Sequence, residues 1–279
     1  MIIEPAQREE FLTLMGETYG GAMTPAEFDW WFDRNPAGPR ILNGARDDDG
    51  TPLGALAMSF ARMSQGLAAF AVHAVTTPAA RGRGVFSTLE LQNEQEAAAA
   101  GATWALGFTN PLAGPILVGK LGWEDVTSLR IWARPKRLRR QGKGGLRVEA
   151  GVEPFDASTP RGDHHVVRDA AYLSWRYVES PRPYARVGDV VVTHAVWHGL
   201  SSAVICEHGS ALRDAVTLVD ADIAVALVNP GEERRFLRAG FVPTPRTIRF
   251  IGKRLTPEAP ELPKRRDAWS FTLGDLDFF

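Results

Sequence analysis

Apolar residues recur first at helical and then at strand spacing along the opening third of the chain. Phe11, Leu12 and Met15 stand among charged positions over residues 5 to 17, the pattern of an amphipathic helix. Thr24-Pro25-Ala26-Glu27 offers a capping hydroxyl, a proline in the first turn and a reciprocating Glu, which predicts a second helix reaching Asn35-Pro36. Its aromatics Phe28, Trp30, Trp31 and Phe32 call for burial in a core rather than for a ligand platform. Arg40 to Arg46 and Pro52 to Met63 read as a hairpin whose turn, Asp47-Asp48-Asp49-Gly50, stands in water. Leu67 to Thr76 makes a third strand, and a run rich in Leu, Glu, Gln and Ala predicts a helix that stops at Gly101. Ala102 to Thr109 is a strand broken by Asn110-Pro111, Leu112 to Lys120 a short helix ending at Gly122-Trp123, and Val126 to Ala133 a further strand.

The third strand passes into its helix through Arg81-Gly82-Arg83-Gly84. The first turn of a helix leaves N–H donors without partners at the positive end of its dipole, and glycines let a ligand approach the backbone closely. Such a turn is an anion site suited to a pyrophosphate, and the two arginines add permanent charge. An ordinary tight turn with solvated arginines is the plainer reading of the same residues. Neither G-x-G-x-x-G nor a Gly-Lys-Ser/Thr ending is present.

Pro78 to Val85 instead resembles the acetyl-CoA loop of the GNAT superfamily of N-acetyltransferases, whose core pattern is Arg/Gln-x-x-Gly-x-Gly/Ala. Arg81 and Gly84 match it, while Phe86 stands where a small residue is usual, implying a displaced or bulkier cofactor loop. The resemblance implies that acetyl-CoA, or another acyl-CoA, is held by Arg81, Gly82, Arg83, Gly84, Val85 and Phe86, with a main-chain N–H near Val75 or Thr76 polarising the thioester carbonyl. In that superfamily the strand entering the loop often carries or positions the base, which makes His73 the candidate catalytic residue. Alternation puts His73 on the face of Ala71 and Val75, opposite Val72 and Ala74. A buried histidine bonded to a neighbour is the alternative.

Asn110 to Trp123 is a second point of resemblance. Family members end this strand with an Asn that contacts the pantetheine or phosphate, place a small residue three positions on, and often supply a Tyr as acid for the departing thiolate. Asn110 and Ala113 fit; Leu117 or Val118 takes the place of the Tyr.

From Lys136 to Arg147 six of twelve residues are basic and three are glycine, which reads as a solvated linker. It lacks the aromatic residues that single-stranded nucleic acid stacks on. Beyond it the chain begins again. Tyr172 to Tyr177 echoes the aromatic helix, and Val190 to Val196 and Ser202 to Glu207 pair around His198-Gly199. The segment from Ala221 to Leu255 repeats the order strand, Asn-Pro, short helix, Gly-aromatic, strand, Lys-Arg-Leu. Asn110 corresponds to Asn229, Gly122 to Gly240 and Lys136 to Lys253, an offset of 117 to 119 residues that points to duplication. The second copy has no Arg-x-x-Gly-x-Gly turn, and Phe236 stands at the acid's position. The expected fold is therefore α/β (α+β): two GNAT-like mixed-sheet domains in tandem, with mostly antiparallel sheets flanked by helices. Residues 1–138 form the domain with the cofactor loop, 139–150 the linker, and 151–279 the second domain with its apolar tail.

Composition narrows the function classes. With 279 residues and 44% hydrophobic content the chain can bury a real core, and a net charge of −1 offers no general field for nucleic acid or an anionic membrane. The single cysteine, Cys206, reads as a small buried residue and suits a reducing cytoplasm. MIIEPAQREE lacks the pattern of a signal peptide, and the uncharged stretch from Met63 to Ala80 is too polar for a membrane span. His194 and His198 fall on a strand end and a turn, so no metal site is expected; His164-His165 reads as a solvated loop. The tail WSFTLGDLDFF is apolar enough to dock, with Asp275, Asp277 and the terminal carboxylate available to line a cleft. The resulting expectation is a cytoplasmic acyl-CoA-dependent transferase acting on an amine of a small molecule or peptide. A non-catalytic CoA-binding sensor or scaffold, and an aminoacyl transferase on the duplicated framework, are the alternatives.

Overall fold

The computed structural model describes residues 1–20, 23–135, 145–148, 151–157 and 162–276. They form two compact units, Met1–Val126 with Phe250–Pro263, and Thr127–Arg249 with Lys264–Phe279. Residues 127–135 and 250–263 thus belong to the opposite unit from the one a contiguous division at residues 139–150 assigns them.

The first unit opens with strand β1 (Ile2–Pro5) and helix α1 (Arg8–Tyr19), followed by α2 (Pro25–Phe28). The expected capping box is formed: the Thr24 hydroxyl accepts from Glu27 N–H and the Glu27 carboxylate from Thr24 N–H. The chain then continues through one wide turn closed by Arg34 N–H to Asp29 C=O at 2.9 Å. That turn drives Trp30, Trp31 and Phe32 into the core, where Phe11, Phe28 and Phe32 meet with ring centroids 4.9–6.4 Å apart. Strands β2 (Ile41–Arg46), β3 (Pro52–Met63) and β4 (Gly66–Thr76) form an antiparallel meander, with β1 on its outer edge. Helix α3 (Val85–Ala99) leads to β5 (Trp104–Thr109), which returns parallel to β4; α4 (Gly114–Lys120) follows, and β6 (Glu124–Pro135) begins. Asn93 seats α3 on the sheet by donating to Leu56 C=O at 3.0 Å. Phe250–Arg254 and the residues after it complete this unit: Leu255 N–H bonds Thr103 C=O, and Trp104 Nε1–H bonds Pro260 C=O.

The second unit repeats the order. Two residues of the sequence-read linker, β7 (Gly145–Leu146), are already strand, and a two-residue β8 (His164–His165) follows. Helix α5 (Ala170–Leu173) ends in the same wide turn, closed by Glu179 N–H to Ser174 C=O. Strands β9 (Tyr184–Val187), β10 (Val190–Trp197) and β11 (Leu200–Glu207) are antiparallel, and α6 (Leu212–Ala215) leads through β12 (Val219–Asp220) to β13 (Ile223–Leu227), parallel to β11. Helix α7 (Glu233–Arg238), β14 (Val242–Arg254) and a short β15 (Trp269–Ser270) follow. The Thr127–Pro135 part of β6 pairs antiparallel with β13. The remaining linker residues, 139–144 and 149–150, lie outside the described residues.

Two polar expectations change. His164 and His165 are half-buried rather than solvated: β8 pairs with β15, and the His164 ring lies 4.8 Å from that of Trp269. Asp275 lines no cleft. Its carboxylate is fully buried, bonding Arg168 at 2.8 Å, the Tyr172 hydroxyl at 3.2 Å and Thr272 N–H at 2.8 Å, and so clasps the docked tail. Asp277 and the terminal carboxylate lie outside the described residues. Cys206 is buried, and burial pushes its thiol up to about 12. Among the described residues no helix is long and apolar enough to cross a membrane.

Candidate functional site

The candidate site lies within the first unit, where β4 and β5 part company. Their parallel pairing runs through Ala68–Trp104, Ala69–Ala105 and Phe70–Leu106. Past it, Ala71–Ala74 on one strand and Gly107–Thr109 on the other become walls of a cavity of about 770 Å³. A bulge starts the parting: Ala57 faces His73 and Met58 faces Ala71, leaving Val72 as the extra residue of β4. Because Ala57 and Met58 are neighbours on β3, their partners project from opposite faces. His73 therefore does not share a face with Ala71, as plain alternation predicts. Ala71 packs with Met58 and Leu56 on the α3 side, and the His73 ring lies 6.0 Å from that of Phe32 on the other.

The glycine turn closes one end of the cavity. Gly82 and Gly84 both have φ of +80°, a region that side-chain-bearing residues avoid, and a Cβ at either would meet no protein atom within 4 Å. The backbone there stands open to a ligand. The N–H groups of Gly84, Val85 and Phe86, at the start of α3, meet no acceptor among the described residues. Arg81, Gly82, Gly84, Val85, Phe86, Thr76, His73 and Asn110 all contribute to the wall. Arg83 does not: its guanidinium pairs with Asp47 of the β2–β3 turn at 2.9 Å and holds that carboxyl below its ordinary range. Val75 is buried behind the wall, with its carbonyl packed against Gly54. Asn110 spends its Oδ1 on Leu112 and Ala113 N–H at 2.9 and 3.0 Å, so its amide N–H is what it can offer a ligand. Of the two residues that could stand at the acid's position, Leu117 is a buried core residue of α4 that also borders the cavity, and Val118 packs half-buried against the same core.

Three ionisable wall residues were not singled out from the sequence. Tyr19 reaches the cavity from α1 and donates its hydroxyl to Ala74 C=O at 3.0 Å. Lys120 comes from the end of α4. Glu90 comes from α3, where the spacing Phe86, Glu90, Glu94 places two carboxyls in line with a cavity-facing aromatic. Glu90 is fully buried. Desolvation chiefly, and then the neighbouring Glu94, push its carboxyl up to about 8 against the opposing pull of Lys253. Glu94 is engaged, accepting from Trp123 Nε1–H at 2.6 Å and Lys253 Nζ at 2.5 Å.

The second unit arranges the corresponding residues differently. Asn229 is buried, accepting from Phe271 N–H at 3.0 Å and Arg266 at 3.1 Å, and Phe236 is core. His194, on β10, bonds the Ser201 hydroxyl at 3.0 Å.

No protein-family model and no curated protein matches the chain. Among solved structures it is similar to a GCN5-related N-acetyltransferase from Anabaena variabilis, at 12% identity and a TM-score of 0.59, over 91% of this chain and 73% of that one. A GCN5-related N-acetyltransferase from Kribbella flavida aligns at 13% identity and 0.57, over 91% and 72%. Eis1 from Mycobacterium abscessus aligns at 16% identity and 0.56, over 91% and 74%. The chain has the fold of the GCN5-related N-acetyltransferases.

Proposed function

We propose that this chain is an acyl-CoA-dependent N-acyltransferase that moves an acyl group directly onto an amine of a small molecule or peptide. The observation that carries the reading is one cavity whose wall joins an open glycine turn at a helix N-terminus to Asn110 and His73. The residues fit the ligand: the turn offers unpaired N–H groups and Arg81 to a diphosphate, without a Cβ in the way. Asn110 stands farther along the wall, toward a pantetheine arm. A bound acyl-CoA supplies an activated thioester, and the chain supplies position, charge stabilisation and a proton acceptor. Main chain of β4 near Val75 and Thr76 is the source of the polarising N–H. His73 is the base, since an imidazole accepts a proton near neutral pH. The repeated element order reflects a duplication in which only the first copy kept a phosphate loop.

The test is thermal and kinetic. CoA at about a hundredfold over its Kd should stabilise the chain by about 2.7 kcal/mol, and an amine panel should reveal turnover. An unmoved melting midpoint in millimolar CoA removes the reading. His73→Ala should lower turnover by roughly a hundredfold or more at unchanged CoA affinity, with loss of the acidic limb of the pH–rate profile. Turnover within a fewfold of wild type, with that limb in place, returns His73 to packing. A CoA-binding sensor is the second reading, favoured by Leu117 or Val118 in place of the acid Tyr; stabilisation by CoA without turnover on any amine selects it.

A further inference from the structure

Glu90 is an unusual wall residue. Both carboxyl oxygens are buried, and neither has a hydrogen-bond partner among the described residues. A buried polar group left unsatisfied costs roughly 1–3 kcal/mol, so the fold tolerates a loss that a Leu here would avoid. The groups around it explain why it is neither paired nor charged. Glu94 on the same helix and Lys253 of β14 form a closed pair, with Trp123 completing the bonds to Glu94. One ammonium serves two carboxyls, and the second carboxyl keeps its proton. The other titratable and charged residues that reach the cavity are His73 on β4, Tyr19 on α1, Lys120 on α4 and Arg81 in the turn, beside the uncharged polar Thr76, Ser87, Thr109 and Asn110. A protonated carboxyl is a hydrogen-bond donor, and the described residues give it no acceptor.

Position along α3 says which part of a ligand would provide it. Glu90 lies five residues beyond Val85, about 8 Å along the helix from the N–H groups of the turn. A diphosphate seated on the turn leaves Glu90 beside whatever follows the diphosphate. On that side of the sheet the wall is Ala71, Phe86, Ala113, Ile116 and Leu117. Among these apolar groups an amide or thioester carbonyl needs a donor.

We propose that the Glu90 carboxyl donates its proton in a hydrogen bond to a carbonyl oxygen of the pantetheine arm or acyl group of the bound thioester. Glu90 is thus a ligand-binding residue, and the inference rests on the acyl-CoA reading of the same cavity. No bond is made or broken; the proton stays on Glu90 and is shared with the ligand oxygen. An ionised Glu90 is doubly unfit, because it has lost the donor and places a negative charge near a polyanionic ligand. Binding is therefore favoured below about pH 8 and weakens above it.

Calorimetric affinities for CoA, acetyl-CoA and adenosine 3′,5′-bisphosphate, measured from pH 6 to 9 on wild type, Glu90→Gln and Glu90→Leu, test this. Wild-type CoA affinity should fall about tenfold per pH unit above pH 8, and that excess slope should be missing in Glu90→Gln, whose amide still donates and whose affinity at pH 6.5 should stay within about threefold of wild type. Glu90→Leu should bind CoA roughly tenfold more weakly yet melt at a higher temperature, which separates lost binding from lost folding. The bisphosphate has no arm and should be indifferent to all three side chains. Equal losses for CoA and acetyl-CoA assign the bond to the arm; a loss confined to acetyl-CoA assigns it to the acyl carbonyl. Unchanged CoA and acetyl-CoA affinity in Glu90→Leu, or the same pH slope in wild type and Glu90→Gln for both CoA and acetyl-CoA, overturns the inference and leaves the acyl-CoA reading standing. If CoA does not bind wild type at all, both fall together.

Discussion

Each unit joins a pair of parallel strands through a helical connection, and the two connections part at their first turn. Between β4 and β5 the chain spends fifteen residues on α3, enters it through two left-handed glycines and leaves the first N–H groups without protein acceptors. Between β11 and β13 the helix is four residues long, and the turn before it has found an acceptor within the protein. Ser210 N–H donates to the Asp189 carboxylate at 3.0 Å, and a Cβ on Gly209 would collide with that same carboxylate. The two asparagines follow suit. Asn110 borders a cavity, whereas Asn229 is sealed under the tail by Phe271 and Arg266 and donates to Glu232. The same framework thus leaves spare donors at one turn and satisfies them within the protein at the other.

Giving the first turn an obstruction should have the largest effect. Gly84→Val forces a β-branched residue into φ +80° and fills the space a diphosphate needs, so any CoA-induced melting shift should vanish. Calorimetry on wild type should find one CoA per chain; two equivalent sites would show that the second turn is not self-satisfied as described.

The asparagines allow a reciprocal test. Asn229→Ala removes the side-chain acceptor of the Phe271 N–H and one of the three acceptors of the half-buried Arg266, and should cost about 1–3 kcal/mol of stability with no change in CoA affinity. Asn110→Ala should do the opposite, weakening CoA severalfold with under about 1 kcal/mol lost, since it caps an exposed turn. Urea titrations with and without CoA read both quantities, and matching profiles for the two variants would erase the distinction.

The units also differ in how they meet acid and base. Glu90 keeps its proton to about 8 when folded and releases it near 4.5 when unfolded, so between those values the folded state holds one more proton and stability falls as pH rises. For Glu232, burial opposes ionisation, but the bond and charge of His208, with Arg235 and Asn229, hold the carboxyl down at about 2. Its contribution is fully present above 4.5 and disappears as pH falls through about 2. Melting curves should show Glu90→Gln flattening the slope above pH 5 and Glu232→Gln flattening it below. The smallest effect belongs to Arg83, whose charge is spent on Asp47; Arg83→Ala should weaken CoA only a fewfold, detectable as a modest shift in Kd.

Local signals carried much of this into the sequence. The capping box at Thr24, the hairpin around Asp47–Gly50, the strand–turn–helix at Arg81–Val85 and the repeated Asn-Pro each depend on residues within a few positions of one another. The bulge at Val72 does not: it is a relation between β4 and β3, and without it His73 is placed on the wrong face. Glu90 looks like any helix-surface acid until Trp123 and residues from β14 close over α3. His164 and Asp275 look solvated for the same reason, since their partners Trp269 and Arg168 lie more than a hundred residues away.

The membership of residues 250–263 in the first unit bears on how the protein is made. A ribosome that has joined Val126 has synthesised every residue of the cavity wall, yet β5 lacks its neighbour Phe250–Arg254, Trp104 lacks the Pro260 carbonyl and Glu94 lacks Lys253. More than a hundred further residues must leave the exit tunnel before those partners arrive. The cavity-bearing unit thus waits on the synthesis of nearly all of the other one, and a nascent chain arrested at residue 139 should remain open to protease where the finished protein resists.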